Sequence, residues 1–587
     1  MEKEEEIFGH PKGLYICFLT EMWERFSFYG MKFLLLLYLT KYHLFTDSNG
    51  LDILGAYAGL VYAMPVIGGM LADRYLGMRK AVIYGGIMLC LGHLGMAFEG
   101  KQATMAGGEV VQDLFALNVF YFSLALIIVG VGFLKPNIST IVGKLYTQGD
   151  DRRDSGFTIF YMGINLGSFL ATLICGWLGE TYGWGYGFGA AGIGMLLGLV
   201  TFTWGQKFLH GHAEPENPEI LKEKSVIGLN KEYTIYLLST ISVAVIWFLV
   251  QSNAIVHNAL NIMAIGVLAW LVWFLYTQCN AVERGRMTVL ASLTIFTVVF
   301  WALFEQSAAS MTLYADRVVN RVILDQIFTS GATSGFYILG IVLLAAPFLV
   351  AFLGKNKFKL LNPSESKIVI GILVLVGGAL AYQGIKAFLF AGEVSSSATG
   401  IPVKWEMTAV QTGSLNAMFI FLLAPIFAVL WTLLAKKKWE PNTPMKFALG
   451  ILQAGLGFGA LVLGASMPGA EGKVALIWLV LAYLLHTTGE LCLSPVGLSA
   501  VTKLAVPKVV GVMMGSWFLA TAYSELVAAQ IAKFAAIDTE GGMVTDISAA
   551  LVTYTDFFSS LMWVGVAISA VLFVLNPLMK KGMHGVH

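Results

Sequence analysis

The sequence predicts an all-α polytopic membrane protein of about sixteen spans, and three observations carry that prediction. Hydrophobic residues make up 57% of the 587 and charged residues 12%, with a mean hydropathy of +0.74, whereas soluble domains are about 25% charged. Apolar runs of about 20 residues, the length that crosses about 30 Å of hydrocarbon, recur along the whole chain. Cations gather in alternate loops: Arg74, Arg79 and Lys80; Lys144, Arg152 and Arg153; Lys436, Lys437 and Lys438. By the positive-inside rule those loops and both termini face the cytoplasm. With a net charge of +1 and no basic stripe, nucleic acid is excluded as a main partner. Five cysteines without CxxC spacing suggest neither metal site nor redox pair.

In order, apolar runs begin near Leu14, Leu54, Ala81, Phe115, Phe157 and Gly187, so residues 1–209 hold six spans. The first run is full-length and follows an acidic start, so it reads as a retained span and not a cleaved signal. Residues 210–283 are a polar cytoplasmic linker enclosing two further runs, Thr234 to Val250 and Ile255 to Tyr276, an inserted hairpin. Residues 284–587 hold further spans, with runs starting near Met287, Val410, Lys446, Val474, Val509 and Phe557. An extra helix pair falls at about 335–390. The lysine-rich segment between its two runs, Lys355 to Lys367, is cytoplasmic only if both runs span.

Span one places Glu21, Glu24, Arg25, Tyr29 and Lys32 on one helical stripe. Each charge at the centre of a membrane helix costs about 2.5–3.5 kcal/mol, so the stripe needs either a partner helix or a water-filled pathway. Gly69 to Lys80, with Asp73 and Arg74, resembles the signature between spans two and three of the major facilitator superfamily. Its charges would latch helices together at the cytoplasmic face; the simpler reading is a positive-inside loop. Lys135 in span four either snorkels to the interface or faces the interior. In span five, Asn165 sits among small residues, Phe160 to Ser168. Trp301 and Glu305 share a face of span seven, which ends in Asp316 and Arg317. In span ten, His486 lies one turn before Glu490, and Pro495 allows a local break; for His486 a neutral ring bonded within the bundle is favoured over a proton relay.

Together these stretches resemble the proton-coupled oligopeptide transporter family. The span-one run Glu21-Met22-Trp23-Glu24-Arg25-Phe26-Ser27-Phe28-Tyr29-Gly30 is similar to its ExxERFxYYG motif. The span-five run, Gly489-Glu490-Leu491 and Met514 to Phe518 match its other signatures. The resemblance implies a major facilitator fold, with one six-helix bundle in residues 1–209 and a second in 284–587 joined by the linker hairpin, and a symporter importing di- and tripeptides with protons by alternating access, embedded in the lipid of a bacterial inner membrane. A single chain would be the working unit, and no cofactor beyond the coupling proton is implied. It further implies that Glu21, Glu24 and Arg25 form the coupling cluster and that Arg25 and Lys135 lie near the peptide carboxylate. Asn165, Asn416 and Glu490 would hold the amino end, and Tyr29, Tyr62, Trp301 and Trp517 would shape the side-chain pockets. Glu305 would couple proton to gate, and Lys32, also facing the substrate, would close the outer gate with Asp316, a lysine in place of the usual arginine leaving a point-charge pair with Asp316 or Glu305. Phe28 and Lys32 depart from the motif, the span-two histidine of several members is missing, and the extra helix pair is outside the usual plan. The alternative keeps the fold and coupling but carries another small solute such as nitrate. No HExxH or GxSxG constellation supports an enzyme.

Overall fold

Polar side chains cap six of the helix starts among the described residues. Thr46, Asp113, Asn230, Asn280, Asn442 and Asp546 each accept backbone N–H groups at the first turn, and Asn280 forms a full capping box with Glu283. The computed structural model describes residues 5–328 and 401–586, apart from 148–149, 151, 216, 226–227 and 470. The expected helix pair at about 335–390, with its lysine-rich segment, lies outside the described residues.

The all-α membrane architecture is as expected. In chain order the helices are α1 (Lys12–Lys41), α2 (Asp47–Leu71), α3 (Met78–Met96), α4 (Leu114–Lys144), α5 (Arg153–Tyr182), α6 (Trp184–Gly205), α7 (Lys231–Gln251) and α8 (Asn253–Thr277). They continue with α9 (Ala281–Phe304), α10 (Ser310–Arg317), α11 (Ser414–Lys436), α12 (Thr443–Ala465), α13 (Leu476–Leu504), α14 (Val510–Ala532) and α15 (Ile547–Gly582). Among the described residues, 12 helical segments are long and apolar enough to cross a membrane, α9 and α10 counting as one. To these add α1 and α3, of 30 and 19 residues, whose charged side chains dilute their hydropathy.

Residues 13–320 and 408–587 form one compact unit. Within it α1 lies against α5 and α6, α2 and α3 pack on α4, and α5 and α6 pack together. A second group joins α12 to α13 and α15, α11 to α13, and α9 to α14. The groups meet where α2 crosses α14 and α5 meets α11, while α7 lies on α4, and α8 lies on both α2 and α14. The other unit, residues 1–12 and 321–407, contains an antiparallel ribbon of Val322–Phe328 with Ile401–Glu406.

Two local departures from straight spans matter. Span seven is not one helix: α9 ends in a tight turn, Glu305–Ala308, and Ala309 leaves helical space (φ −114, ψ −105) before α10 restarts. Side chains re-satisfy the freed backbone, Gln306 Nε2 donating to Ala302 O at 3.2 Å and Thr312 Oγ1 to Ser307 O at 2.7 Å. By contrast α13 continues through Pro495 to Leu504. The Gly69–Lys80 motif ends α2 in a π-helical turn, Ala72–Leu76, closed by Gly77 at φ 74. A Cβ there would sit 2.5 Å from Pro215 N, so the turn needs glycine for both conformation and space. Gly77→Ala is expected to cost at least about 1–2 kcal/mol from the backbone conformation alone, read as a lower melting temperature in detergent. An unchanged melting temperature would contradict this placement.

Candidate translocation cavity

Between the two helix groups lies a cavity of about 610 Å³, within the range of small-molecule sites. Its walls carry Tyr29 and Lys32 from α1, Tyr62 and Asp73 from α2 and the turn after it, Lys135 from α4 and Asn165 from α5. The facing group contributes Trp301 and Glu305 from α9 and its terminal turn, Asn416 from α11, Glu490 from α13 and Trp517 from α14. The structure therefore gathers residues that stand hundreds of positions apart. Lys135 Nζ sits over the Tyr62 ring, 4.0 Å from its centroid, a cation on an aromatic face. Opposite, Asn416 Nδ2 donates to Glu490 Oε2 and to Thr487 Oγ1, both at 3.0 Å, fixing the carboxylate. Asn165 bonds within its own helix, to Tyr161 O at 3.0 Å. A molecule with an anionic and a cationic end finds a counter-charge at each wall.

Arg25 does not line this cavity, contrary to its expected part in substrate binding. Its Nε lies 3.1 Å from Glu21 Oε1 and within ion-pair reach of Glu24, and all three side chains are buried. The cause is α5. A Cβ at Gly167 would lie 2.9 Å from Arg25 Cβ, so the small residues of the span-five signature bring α5 onto this part of α1. Tyr29 and Lys32, further along the stripe, extend beyond that contact and reach the cavity wall. His486 is bonded within the bundle as expected, Nε2 lying 3.0 Å from Ala454 O.

One end of the cavity is shut by ion pairs between the groups. Lys32 Nζ donates to Glu305 Oε2 at 2.9 Å and to Glu525 Oε1 at 2.7 Å. Further along α1, Lys41 Nζ lies 2.5 Å from Asp316 Oδ1. Arg317 makes a bidentate pair with Asp47 at 2.7 and 2.6 Å, and Glu180 of α5 accepts from the N–H groups of Ala409 and Val410. The expected Lys32–Asp316 gate is thus corrected: Lys32 is nine residues before Lys41, about 13 Å deeper along the helix, and it reaches Glu305 and Glu525 instead. Sequence reasoning missed Glu525, Asp47 and Lys41. A lone carboxylate in the apolar run of α14 is the same signal that singled out span one. At the other end Asp73 lies at the cavity wall and Arg74 stacks on Tyr75, 5.4 Å to the ring centroid. Neither makes an ion pair among the described residues, so the expected latch is not formed there. Ion pairs that do form beside this motif include Arg79–Glu214 and Lys80–Glu232.

Comparison with known proteins decides the lineage. The model of the POT family matches residues 79–393 and 383–546. This chain belongs to the POT family. It is 35% identical to the Bacillus subtilis uncharacterized transporter YclF, covering 99% of this chain and 97% of that one. It is 32% identical to the peptide transporter YePEPT of Yersinia enterocolitica (89% and 88% covered) and 30% to a di-/tripeptide transporter of Lactococcus lactis (98% and 97%). A solved structure of a peptide transporter POT in complex with sulfate is 32% identical, covers 99% of this chain and 98% of its own, and superposes with a TM-score of 0.70. POT-family proteins are transporters, not enzymes, and the closed and open ends of the cavity are what one state of a transporter requires.

Proposed function

We propose that this POT-family protein is a symporter that uses the inward proton gradient to import di- and tripeptides by alternating access, in the bacterial inner membrane with both termini cytoplasmic. In that orientation the ion-paired end faces outward and the cavity opens to the cytoplasm. The observation that supports this best is the pair of opposite poles, Lys135 and the Asn416-held Glu490, across an aromatic cavity. A peptide zwitterion places its carboxylate at Lys135 and its ammonium at Glu490, while Tyr29, Tyr62, Trp301 and Trp517 give its side chains apolar walls. Nitrate needs only the first pole. The named peptide transporters among the relatives point the same way.

The test is uptake into proteoliposomes under a proton gradient, with a panel of di- and tripeptides and with nitrate as competitor. Accumulation of peptides, collapsed by a protonophore and insensitive to nitrate, is expected. Nitrate uptake without peptide uptake would overturn the reading. In the same assay Glu490→Gln should weaken apparent affinity about 10- to 100-fold, the worth of one charge-assisted contact of about 1.5–3 kcal/mol. The loss should vanish for peptides whose amino end is acetylated; an equal loss for those would show that Glu490 does not meet the ammonium.

A further inference from the structure

Lys32 serves two carboxylates, and the two are not equivalent. Glu305 is on the cavity wall with a side chain 14% exposed, whereas Glu525, on α14, is 5% exposed and does not line the cavity. Both Lys32 and Glu305 line it, and Glu525 is reached from it past Lys32. The two bonded carboxylate oxygens are no further apart than about 5.6 Å, the two contacts laid end to end. The site holds two carboxylates and one ammonium, an excess of one negative charge.

The other groups facing Glu525 are Tyr57 and Tyr62 of α2 and Lys135 of α4; Glu490 of α13 is turned to Asn416, and His257 of α8 faces Gln530 and Asp52. None replaces the ammonium at bonding distance among the described residues. Both carboxylates belong to the second helix group and Lys32 to the first, so the rocking that opens the sealed end takes Lys32 away from both at once. Two bare carboxylates would then face each other across a few ångströms, a repulsion that proton binding removes.

We propose that Glu525 is a second proton-carrying residue of the transport cycle, loaded from outside when Lys32 leaves and unloaded when Lys32 returns. In the balanced step, Lys32 withdraws from both carboxylates, and Glu305 and Glu525 each bind one proton from the outer water. On closure the ammonium displaces both protons, and Glu305, the member on the cavity wall, passes them to the cytoplasmic side. This rests on the proton-coupled reading above.

The experiment is the proton-to-peptide ratio, from the potential at which peptide flux reverses in proteoliposomes. Glu525→Gln should move one proton fewer per peptide than the wild type, so steady accumulation on a one-unit pH gradient falls about tenfold. Glu525→Asp, which keeps a titrating carboxylate, should restore the wild-type ratio. An unchanged ratio in Glu525→Gln would overturn the inference and leave Glu525 a structural partner of Lys32. If the wild type shows no proton-driven peptide flux, it is the underlying reading that fails. Should Glu525→Gln lose counterflow through misfolding, infrared difference spectra of the Asp variant decide. Its carboxylic-acid band, on opening at low pH, should be displaced from the wild-type band, and an undisplaced band would reject the proposal.

Discussion

Glu305→Gln is expected to abolish accumulation of peptide against its gradient while leaving peptide-for-peptide counterflow largely intact. Glu305 is the carboxylate of the Lys32 site that lines the cavity, so it is where a proton passes between that site and the cytoplasmic water. A glutamine there fixes the neutral form and closes that passage, and no gradient can then be converted into uphill flux. Counterflow needs no net proton movement. The variant should fold, because Lys32 keeps Glu525 at 2.7 Å and is never left as an unpaired buried charge. What is lost is the difference between a charge-assisted and a neutral hydrogen bond, about 1 kcal/mol, which eases opening several-fold without dismantling the gate. Normal gradient-driven accumulation by this variant would remove Glu305 from the coupling pathway and return that task to Glu21 and Glu24.

How far the sequence revealed this site depends on which kind of order a residue obeys. Spans, hairpin and the charged stripe of α1 follow from local periodicity and from the cost of a charge in lipid, and these were legible. Which member of the stripe reaches the cavity was not, because it depends on where α5 closes on α1 at Gly167, a tertiary contact that buries Arg25 and leaves Tyr29 and Lys32 free to reach the wall. Pairings across the groups were legible only in part, since the sequence left Lys32 to meet either Asp316 or Glu305 and gave no sign of Glu525 as its second partner. Lys32 and Asp316 both lie toward the sealed end, but the break after Phe304 and the two to three turns between Lys32 and Lys41 decide which carboxylate meets which cation. Glu525 obeyed a readable rule, a lone carboxylate in an apolar span, and the family motifs drew attention elsewhere.

The sealed end does not rest equally on its ion pairs. Lys41 is 34% exposed, so water screens its pair with Asp316, itself 8% exposed, and Lys41→Ala should change the balance less than breaking a pair buried on both sides. Asp47 and Arg317 are both buried, bidentate, and further held by Ile537 N donating to Asp47 Oδ2 at 3.1 Å and by Tyr554 Oη, 3.1 Å from Arg317 Nη1. Removing one partner of such a pair strands the other, at a cost of about 3–5 kcal/mol. That cost falls on the closed state, because opening this end gives Asp47 water. Arg317→Ala should therefore shift the population toward the open outer end by about two to nearly four orders of magnitude, approaching the about 5.5 kcal/mol that inverts a 1:99 equilibrium. A cysteine placed at Ile537 reports it directly, because all five native cysteines are buried and give little background. It should react slowly with an impermeant thiol reagent in the wild type and rapidly in Arg317→Ala, while Lys41→Ala stays slow. Equal labelling in all three proteins would show that the Asp47–Arg317 pair supports folding without setting the conformational balance.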